Sequence, residues 1–143
     1  MTIDILPAVT AEDLRACFPV MRELRPHLAS PEELVERVQR QFDQGYRLLT
    51  ARAGGAVVGA AGYRVQENLI RGRFCYVDDL VVAAPHRRGG LGAGLLGAVA
   101  ALARAGGIDR LVLDTALDNL FGQRFYFRYG MLPAALRFSK VLD

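Results

Sequence analysis

The chain has 143 residues, of which 52% are hydrophobic and 23% are charged, and its net charge is +3. This composition is typical of a folded globular protein and excludes a disordered or fibrous chain. No apolar run approaches the roughly 20 residues that a membrane-spanning helix needs, and no run of basic residues favours nucleic-acid binding. We therefore expect one cytoplasmic domain over residues 1–143, with neither a membrane nor a nucleic acid as partner.

The residue types that bind metals are few. Cys17 and Cys75 fit no paired metal spacing, and His27 and His86 lie far apart in sequence without supporting acids. We expect no metal site, and we expect both cysteines to be reduced and buried.

The N-terminal third predicts a strand followed by helices. Residues 3–6, IDIL, alternate like a strand, and a capping box begins a helix at Thr10. Pro19 must kink or split that helix because it removes a backbone donor. The run SPEE at Ser30 starts another helix, which Gly45 can end.

The middle of the chain predicts a hairpin and then a β-α-β unit. The hairpin strands cover residues 46–52 and 56–65, with a Gly-Gly turn between them. The apolar strand 73–83, a helix that starts near Leu91 and the buried strand 110–116 form the β-α-β unit.

The C-terminal part predicts a helix around residues 119–129 and a last strand over 136–142, with a further short strand near Met131. The predicted order is therefore β-α-α-β-β-β-α-β-α-β. Because a hairpin precedes the one parallel unit, we expect an α/β fold with a mixed sheet flanked by helices.

The stretch PHRRGGLGAGLL, residues 85–96, concentrates glycines where a strand ends and a helix begins. The first amides of a helix have no intrahelical partner and carry the positive end of its dipole, and glycine lets an anion approach them closely. The pattern predicts a phosphate cradle, with a tight turn that only allows close helix packing as the alternative. Its spacing fits neither the GxxxxGK[ST] phosphate loop nor a dinucleotide motif after a first strand.

Three motifs together resemble the GNAT superfamily of N-acetyltransferases. Residues 87–92, RRGGLG, match its R/Q-x-x-G-x-G/A signature, and residues 76–82, YVDDLVV, resemble its central strand. Residues 118–131 resemble its N-x-x-A-x-x-F-Y-x-x-x-G-F helix, with Asn119 and Tyr126 in register. The resemblance covers nearly the whole chain. The departures from the pattern are Arg88 for the commoner glycine, Gly122 for alanine and Met131 for phenylalanine.

By this resemblance the sheet is mostly antiparallel and the ligand is acetyl-coenzyme A, its pyrophosphate held by the amides of residues 88–93. The two central strands, 73–83 and 110–116, would splay apart, and pantetheine would lie in the gap beside residues 80–82. Asn119 would meet the pantetheine arm. The residues assigned to the cofactor in this way are Leu80, Val81, Val82, Arg87, Arg88, Gly89, Gly90, Leu91, Gly92, Ala93 and Asn119.

Acetyl transfer needs a neutral amine, a stabilised carbonyl oxygen and a protonated leaving thiolate. The resemblance makes Tyr126 the proton donor, Asp78 a base acting through water, and Asp79 a second, more structural acid; a main-chain N–H near residues 80–81 would stabilise the oxyanion. Strand alternation predicts that the two aspartates point to opposite faces. Two alternatives stay open: Tyr126 belongs to an aromatic core, or both aspartates only accept backbone bonds at a bulge.

The predicted activity is direct transfer, in a ternary complex, of acetyl from acetyl-CoA to a primary amine of a small molecule or peptide. Cys75 could carry a covalent acetyl group, but no histidine lies near it in sequence, so a buried structural thiol is favoured. The predicted substrate walls, residues 17–28 and 66–73, hold several arginines and few acids, which disfavours a polycationic acceptor. A non-catalytic acyl-CoA-binding regulatory module on the same fold is the alternative function, and a homodimer is compatible with the sequence.

Overall fold

The computed structural model describes residues 2–143. It forms two compact units, the first ending at Val112 and the second covering Leu113–Asp143. No helix among the described residues is long and apolar enough to cross a bilayer. The elements in chain order are β1 (Ile3–Pro7), α1 (Ala11–Ala16), α2 (Phe18–Leu24), α3 (Pro31–Phe42), β2 (Arg47–Ala53), β3 (Ala56–Asn68), β4 (Gly72–Val82), α4 (Leu91–Ala105), β5 (Leu111–Leu113) and α5 (Leu120–Tyr129).

Caps and a proline set the helix boundaries in the N-terminal region. The Thr10 hydroxyl accepts a bond from Asp13 N, and the Asp13 carboxylate accepts one from Thr10 N, each at 3.1 Å. This is the capping box predicted from the sequence. Pro19 lies in the first turn of α2, and the helical segment is split at Cys17 as predicted. The Ser30 hydroxyl caps α3 by accepting a bond from a first-turn amide.

The five strands pair in the order β1-β2-β3-β4-β5. The first four are antiparallel to their neighbours, whereas β4 and β5 are parallel, with Cys75 N donating to the Arg110 carbonyl at 2.9 Å. The predicted mixed, mostly antiparallel sheet is therefore confirmed. β5 has 3 residues against 11 in β4, and it is shorter than the strand predicted over residues 110–116.

Helices cover both faces of this sheet. Leu48 and Ala60 belong to one buried cluster with side chains of α1, α2 and α3. The neighbouring Gly59 faces the other way, where a Cβ would meet Leu95 Cδ1 of α4 at 3.1 Å. The resulting three layers hold β4, which carries Asp78 and Asp79, between packed helices.

The predicted C-terminal strands are absent. Residues 131–143 form neither strand nor helix, so the strand predicted over residues 136–142 and the short one near Met131 are wrong. Apolar alternation predicts which side chains share a face, but a strand also needs a neighbouring backbone to pair with, and alternation does not specify that neighbour. Within the second unit, Arg137 forms an ion pair with Asp114.

Candidate active site

A β-bulge in β4 brings the two adjacent aspartates together. Gly62 of β3 pairs with Asp79, but the next residue, Tyr63, pairs with Val77, so Asp78 is the extra residue of the bulge. A bulge shifts the phase of side-chain alternation. The prediction that the two carboxylates point to opposite faces is therefore wrong, because both line one cavity.

Asp79 is held on both of its carboxylate oxygens. The Tyr46 hydroxyl donates to Oδ2 at 2.7 Å, and Arg25 Nε donates to Oδ1 at 3.0 Å. Burial is the first cause that raises the pKa of Tyr46 well above its usual value, and the Asp79 charge is the second. Tyr46 therefore stays protonated and acts as a donor at every physiological pH.

Asp78 is held by a different arginine. Arg64 Nε donates to Asp78 Oδ1 at 3.0 Å, and Arg25 Nη2 donates to the Asp78 carbonyl at 2.9 Å. Burial raises the pKa of the Asp78 carboxyl, and the Arg64 hydrogen bond and charge act in the opposite direction. The partners of both carboxylates are thus side chains. The alternative, in which the aspartates only accept backbone bonds at a bulge, required backbone partners instead.

The two aspartates form part of the wall of a cavity of about 300 Å³ inside the first unit. This volume lies at the lower end of the range of small-molecule sites. The wall is supplied by β4, Tyr46, and residues in and between α2 and α3. Its residues are Met21, Arg25, His27, Leu28, Leu34, Arg37, Val38, Gln41, Tyr46, Asp78 and Asp79.

The glycine-rich stretch is a turn that leads into α4. Gly90 is the N-cap of α4 with φ +80°, and no side chain caps the helix there. The first-turn amides, those of residues 91–93, therefore have neither intrahelical nor side-chain partners. Arg88 has φ +69°, a left-handed conformation that glycine adopts readily, which explains why glycine is commoner at this position of the signature.

Arg87 is fixed to the neighbouring elements. Its Nε donates to the Val82 carbonyl at 3.0 Å, and its Nη2 lies 3.2 Å from Glu23 Oε1 of α2. The same Glu23 oxygen accepts a bond from Ala84 N at 3.1 Å. Glu23 therefore anchors the start of the turn to α2, the helix that Arg25 follows.

Residues 80–82, which the resemblance to the family assigns to pantetheine, lie at the end of β4. On one side Leu80 pairs with Ala61 and Val82 pairs with Gly59 of β3. On the other side, β5 is too short to cover most of β4. The hydrogen bond from Cys75 N to the Arg110 carbonyl lies near the start of β4.

Asn119 and Tyr126 belong to the second unit. Asn119 caps α5 by accepting a bond from Gly122 N at 3.0 Å, and its amide donates to Thr115 Oγ1 at 3.0 Å. A Cβ at position 122 would overlap the Asn119 side chain as it lies here, so the glycine leaves room for this capping conformation. The ring of Tyr126 packs edge-on against Phe125, with 5.3 Å between centroids, and burial raises the pKa of its hydroxyl. The helix has no fully buried residue, so its aromatic residues are not a closed core.

The residues that sequence reasoning missed are the partners of the aspartates. Arg25, Tyr46 and Arg64 lie far from Asp78 and Asp79 along the chain, and neither their type nor their spacing marks them.

The two cysteines are free and buried as predicted. Burial raises the pKa of each thiol to about 11.

Known proteins share both the sequence pattern and the architecture. The sequence pattern of the acetyltransferase (GNAT) family matches residues 9–131. The uncharacterised N-acetyltransferase YhdJ of Bacillus subtilis is 28% identical over 116 residues, which are 80% of this chain and 81% of that protein.

Solved structures agree with the fold. An acetyltransferase of Trypanosoma brucei superposes with a TM-score of 0.80 at 21% identity, over 99% of this chain and 100% of that one. The aminoglycoside N-acetyltransferase AAC(6')-Iy, solved in complex with CoA, gives a TM-score of 0.86 at 16% identity, over 98% and 95% of the two chains. Because the family pattern spans most of the sequence, the protein belongs to the acetyltransferase (GNAT) family.

Proposed function

We propose that this protein transfers the acetyl group of acetyl-CoA directly to a primary amine of a small molecule or peptide, with both substrates bound at once. The observation that carries the proposal is the uncapped start of α4 behind a glycine-rich turn, in a chain of the acetyltransferase family. A helix start of this kind binds phosphate groups through its amides and its dipole.

The cofactor would lie along β4. Its pyrophosphate would bind the amides of residues 88–93, and Arg87 and Arg88 would add positive charge nearby. The pantetheine arm would bind main-chain groups of residues 80–82, which the short β5 leaves room for. The complex of AAC(6')-Iy with CoA supports this assignment by its shared fold. In the second unit, Asn119 would contact the same arm.

The acceptor amine would enter the cavity beside Asp78 and Asp79. Each carboxylate already has an arginine partner, since Arg64 binds one and Arg25 binds the other. A second or third ammonium group would find no carboxylate left to neutralise it, so a polycationic acceptor is disfavoured. Arg37 also lines the cavity. An amine that carries a neutral or anionic group, such as an amino acid or the amino end of a peptide, fits this charge pattern best.

The proposed mechanism uses one side chain to remove a proton from the amine and another to donate a proton to the leaving thiolate. Asp78, acting through water, removes a proton from the ammonium so that the neutral amine can attack the thioester carbonyl carbon. A main-chain N–H near Leu80 or Val81 stabilises the oxygen as it becomes negative. The carbon–sulfur bond then breaks, its electron pair stays on sulfur, and Tyr126 donates a proton to the thiolate. The nitrogen, cationic after the attack, loses its second proton through water to become the neutral amide, and that proton restores the Tyr126 hydroxyl. The raised pKa of Asp78 makes it a stronger base than an ordinary aspartate.

Direct transfer is favoured over a covalent enzyme intermediate. A cysteine acts as a nucleophile only as a thiolate. Cys75 has a pKa of about 11, raised first by burial and then by the charge of Asp78. Its thiol therefore stays protonated at neutral pH.

The test is a panel of primary amines of equal length that differ in the second group: carboxylate, hydroxyl or ammonium. CoA release and the mass of the acetylated amine are measured together, and we expect product with the carboxylate or hydroxyl compounds. Tight binding of acetyl-CoA without product from amino acids, peptides or small amines would favour the alternative, a non-catalytic acyl-CoA-binding regulatory module.

A further inference from the structure

One side of helix α3 forms part of the wall of the cavity that the two aspartates also line. Four residues of the helix lie at the spacing i, i+3, i+4 and i+7, which places them on one side of it. They are Leu34, Arg37, Val38 and Gln41. Leu34 and Val38 belong to the buried core, and Gln41 accepts a bond from Arg64 Nη2. Arg37 is therefore the residue on this side of α3 that is best placed to bind a ligand.

Each carboxylate in the wall already has a cationic partner. Arg25 Nη2 lies 2.9 Å from Asp79 Oδ1, and Arg64 Nε lies 3.0 Å from Asp78 Oδ1. Arg37 adds a positive charge to the wall that neither aspartate balances. An anionic group on the ligand would balance this charge.

The ion pair that Arg37 makes within the chain is weak. Its Nη2 lies 3.5 Å from Glu33 Oε2, one turn earlier in the helix, and its side chain is about half exposed. Exposed ion pairs of this spacing contribute little to stability. Glu33 is also held without Arg37, because its Oε1 accepts a bond from Ala29 N at 2.8 Å. A guanidinium has five N–H donors, and a carboxylate in the cavity can accept two of them at once.

The wall beside Arg37 is apolar. It is formed by Met21, Leu28, Leu34 and Val38. All four are buried members of the core, so the packing of the protein fixes their positions. An apolar wall favours an apolar part of the ligand, since that part loses its contact with water on binding. The ligand that matches the whole cavity therefore has an amine, an anionic group and an apolar body.

We propose that the acceptor is a free amino acid with an apolar side chain and that Arg37 binds its carboxylate, an inference that rests on the proposed acetyl transfer and narrows its substrate. The amine would lie at Asp78, and the side chain would lie against the apolar wall. The amino end of a peptide is disfavoured, because it has a neutral amide where the amino acid has its carboxylate.

Valine, valinol and threonine test the two parts of the proposal, since the three molecules have nearly the same shape. Valinol replaces the carboxylate by a hydroxymethyl group, and threonine replaces one side-chain methyl group by a hydroxyl. Steady-state kinetics should give valine a kcat/KM at least tenfold above that of either other compound.

Variants of two arginines on the same helix show whether Arg37 is responsible. Arg37→Gln should reduce the preference for valine over valinol at least tenfold, mainly through the KM for valine, and Arg37→Lys should restore part of it. Arg40→Gln is the matched control, because Arg40 is also exposed but does not line the cavity. It should leave the preference unchanged.

A binding measurement separates this inference from the transfer reaction itself. Calorimetric titration of valine into the protein saturated with CoA should show binding that Arg37→Gln weakens at least tenfold. Acetylation of valine and valinol with equal kcat/KM, or equal effects of Arg37→Gln and Arg40→Gln, would overturn the inference and leave the proposed function standing. Equal use of valine and threonine would overturn the assignment of the apolar side chain.

Two outcomes without acetylated product are also decisive. Binding of valine that depends on Arg37, with no transfer to any amine, would support the carboxylate site and contradict the proposed function. Absence of both binding and acetylation of valine would overturn the inference.

Discussion

The Tyr46 hydroxyl donates a hydrogen bond to Asp79 Oδ2 at 2.7 Å, and this contact depends on a glycine in the neighbouring strand. A Cβ at Gly62 would overlap the Tyr46 ring and hydroxyl. Tyr46 is 1% exposed and lines the cavity, so a side chain at position 62 would displace its hydroxyl from Asp79. Glycine opposite Asp79 in β3 therefore lets Tyr46 reach the carboxylate in its present position.

We expect Gly62→Ala to destabilise the fold by about 1–3 kcal/mol, because overpacking forces a shift of buried atoms. Gly97→Ala in α4 is the matched control, since nothing lies within 4 Å of the added methyl group. That change should stabilise the protein by up to about 1 kcal/mol through helix propensity. Urea unfolding of both variants measures these changes in stability. A Gly62→Ala protein as stable as the natural one would contradict the close packing of Tyr46 against position 62.

Asp78 gives a prediction on pH. Burial raises the pKa of this carboxyl, so the rise of kcat/KM with pH should occur above the range of an ordinary aspartate. Asp78→Asn should lower kcat by about 10²–10⁴-fold and remove that rise, as expected for loss of a general base. A variant that keeps its turnover and its pH profile would exclude Asp78 as the base.

The same raised pKa has a consequence for stability with a definite sign. The native state binds the Asp78 proton more tightly than the unfolded state does, so this group favours folding most at acid pH. Its contribution is lost as the pH rises through the native pKa. The free energy of unfolding of the natural chain, minus that of Asp78→Asn, should therefore fall with rising pH in urea titrations. A difference that rises instead would show that Arg64 lowers the pKa more than burial raises it.

Arg88 carries a strained backbone conformation. A non-glycine residue at φ +69° costs about 1–2 kcal/mol, so Arg88→Gly should raise the free energy of unfolding by about 1 kcal/mol. For a chain of this size that corresponds to roughly 3 °C in Tm. Arg87→Gly, at an ordinary φ of −70°, should lower Tm instead, because it only adds freedom to the unfolded chain and loses the Glu23 contact. A lower Tm for Arg88→Gly would contradict the claim that the backbone of Arg88 is strained.

Tyr126→Phe separates proton donation from packing, because it removes only the hydroxyl. We expect kcat to fall at least tenfold while the affinity for acetyl-CoA stays unchanged. Steady-state kinetics and calorimetry on the same preparation check this. Unchanged turnover with a lower Tm would leave Tyr126 only a structural role.

The sequence predicts features that are local in the chain. The capping box at Thr10, the split at Pro19 and the strand–turn–helix around Gly90 all depend on neighbouring residues, and the structure has them. The contacts of Asp79 with Tyr46 and Arg25 depend on chain segments 33 and 54 residues away, which no local pattern specifies. The bulge stood in the sequence only as an alternative for a related reason, since one extra residue in β4 is visible only against its pairing with β3.

The central claim is that the turn before α4 holds the pyrophosphate of acetyl-CoA, and Gly90 tests it most directly. Asparagine and aspartate are both enriched among non-glycine residues at positive φ, so at φ +80° Gly90→Asn matches the bulk of Gly90→Asp without its charge. Calorimetric titration of acetyl-CoA should show tight binding to the natural chain, weaker binding to Gly90→Asn, and at least tenfold weaker binding again to Gly90→Asp. A folded Gly90→Asp protein that binds acetyl-CoA as tightly as the natural chain would contradict the account.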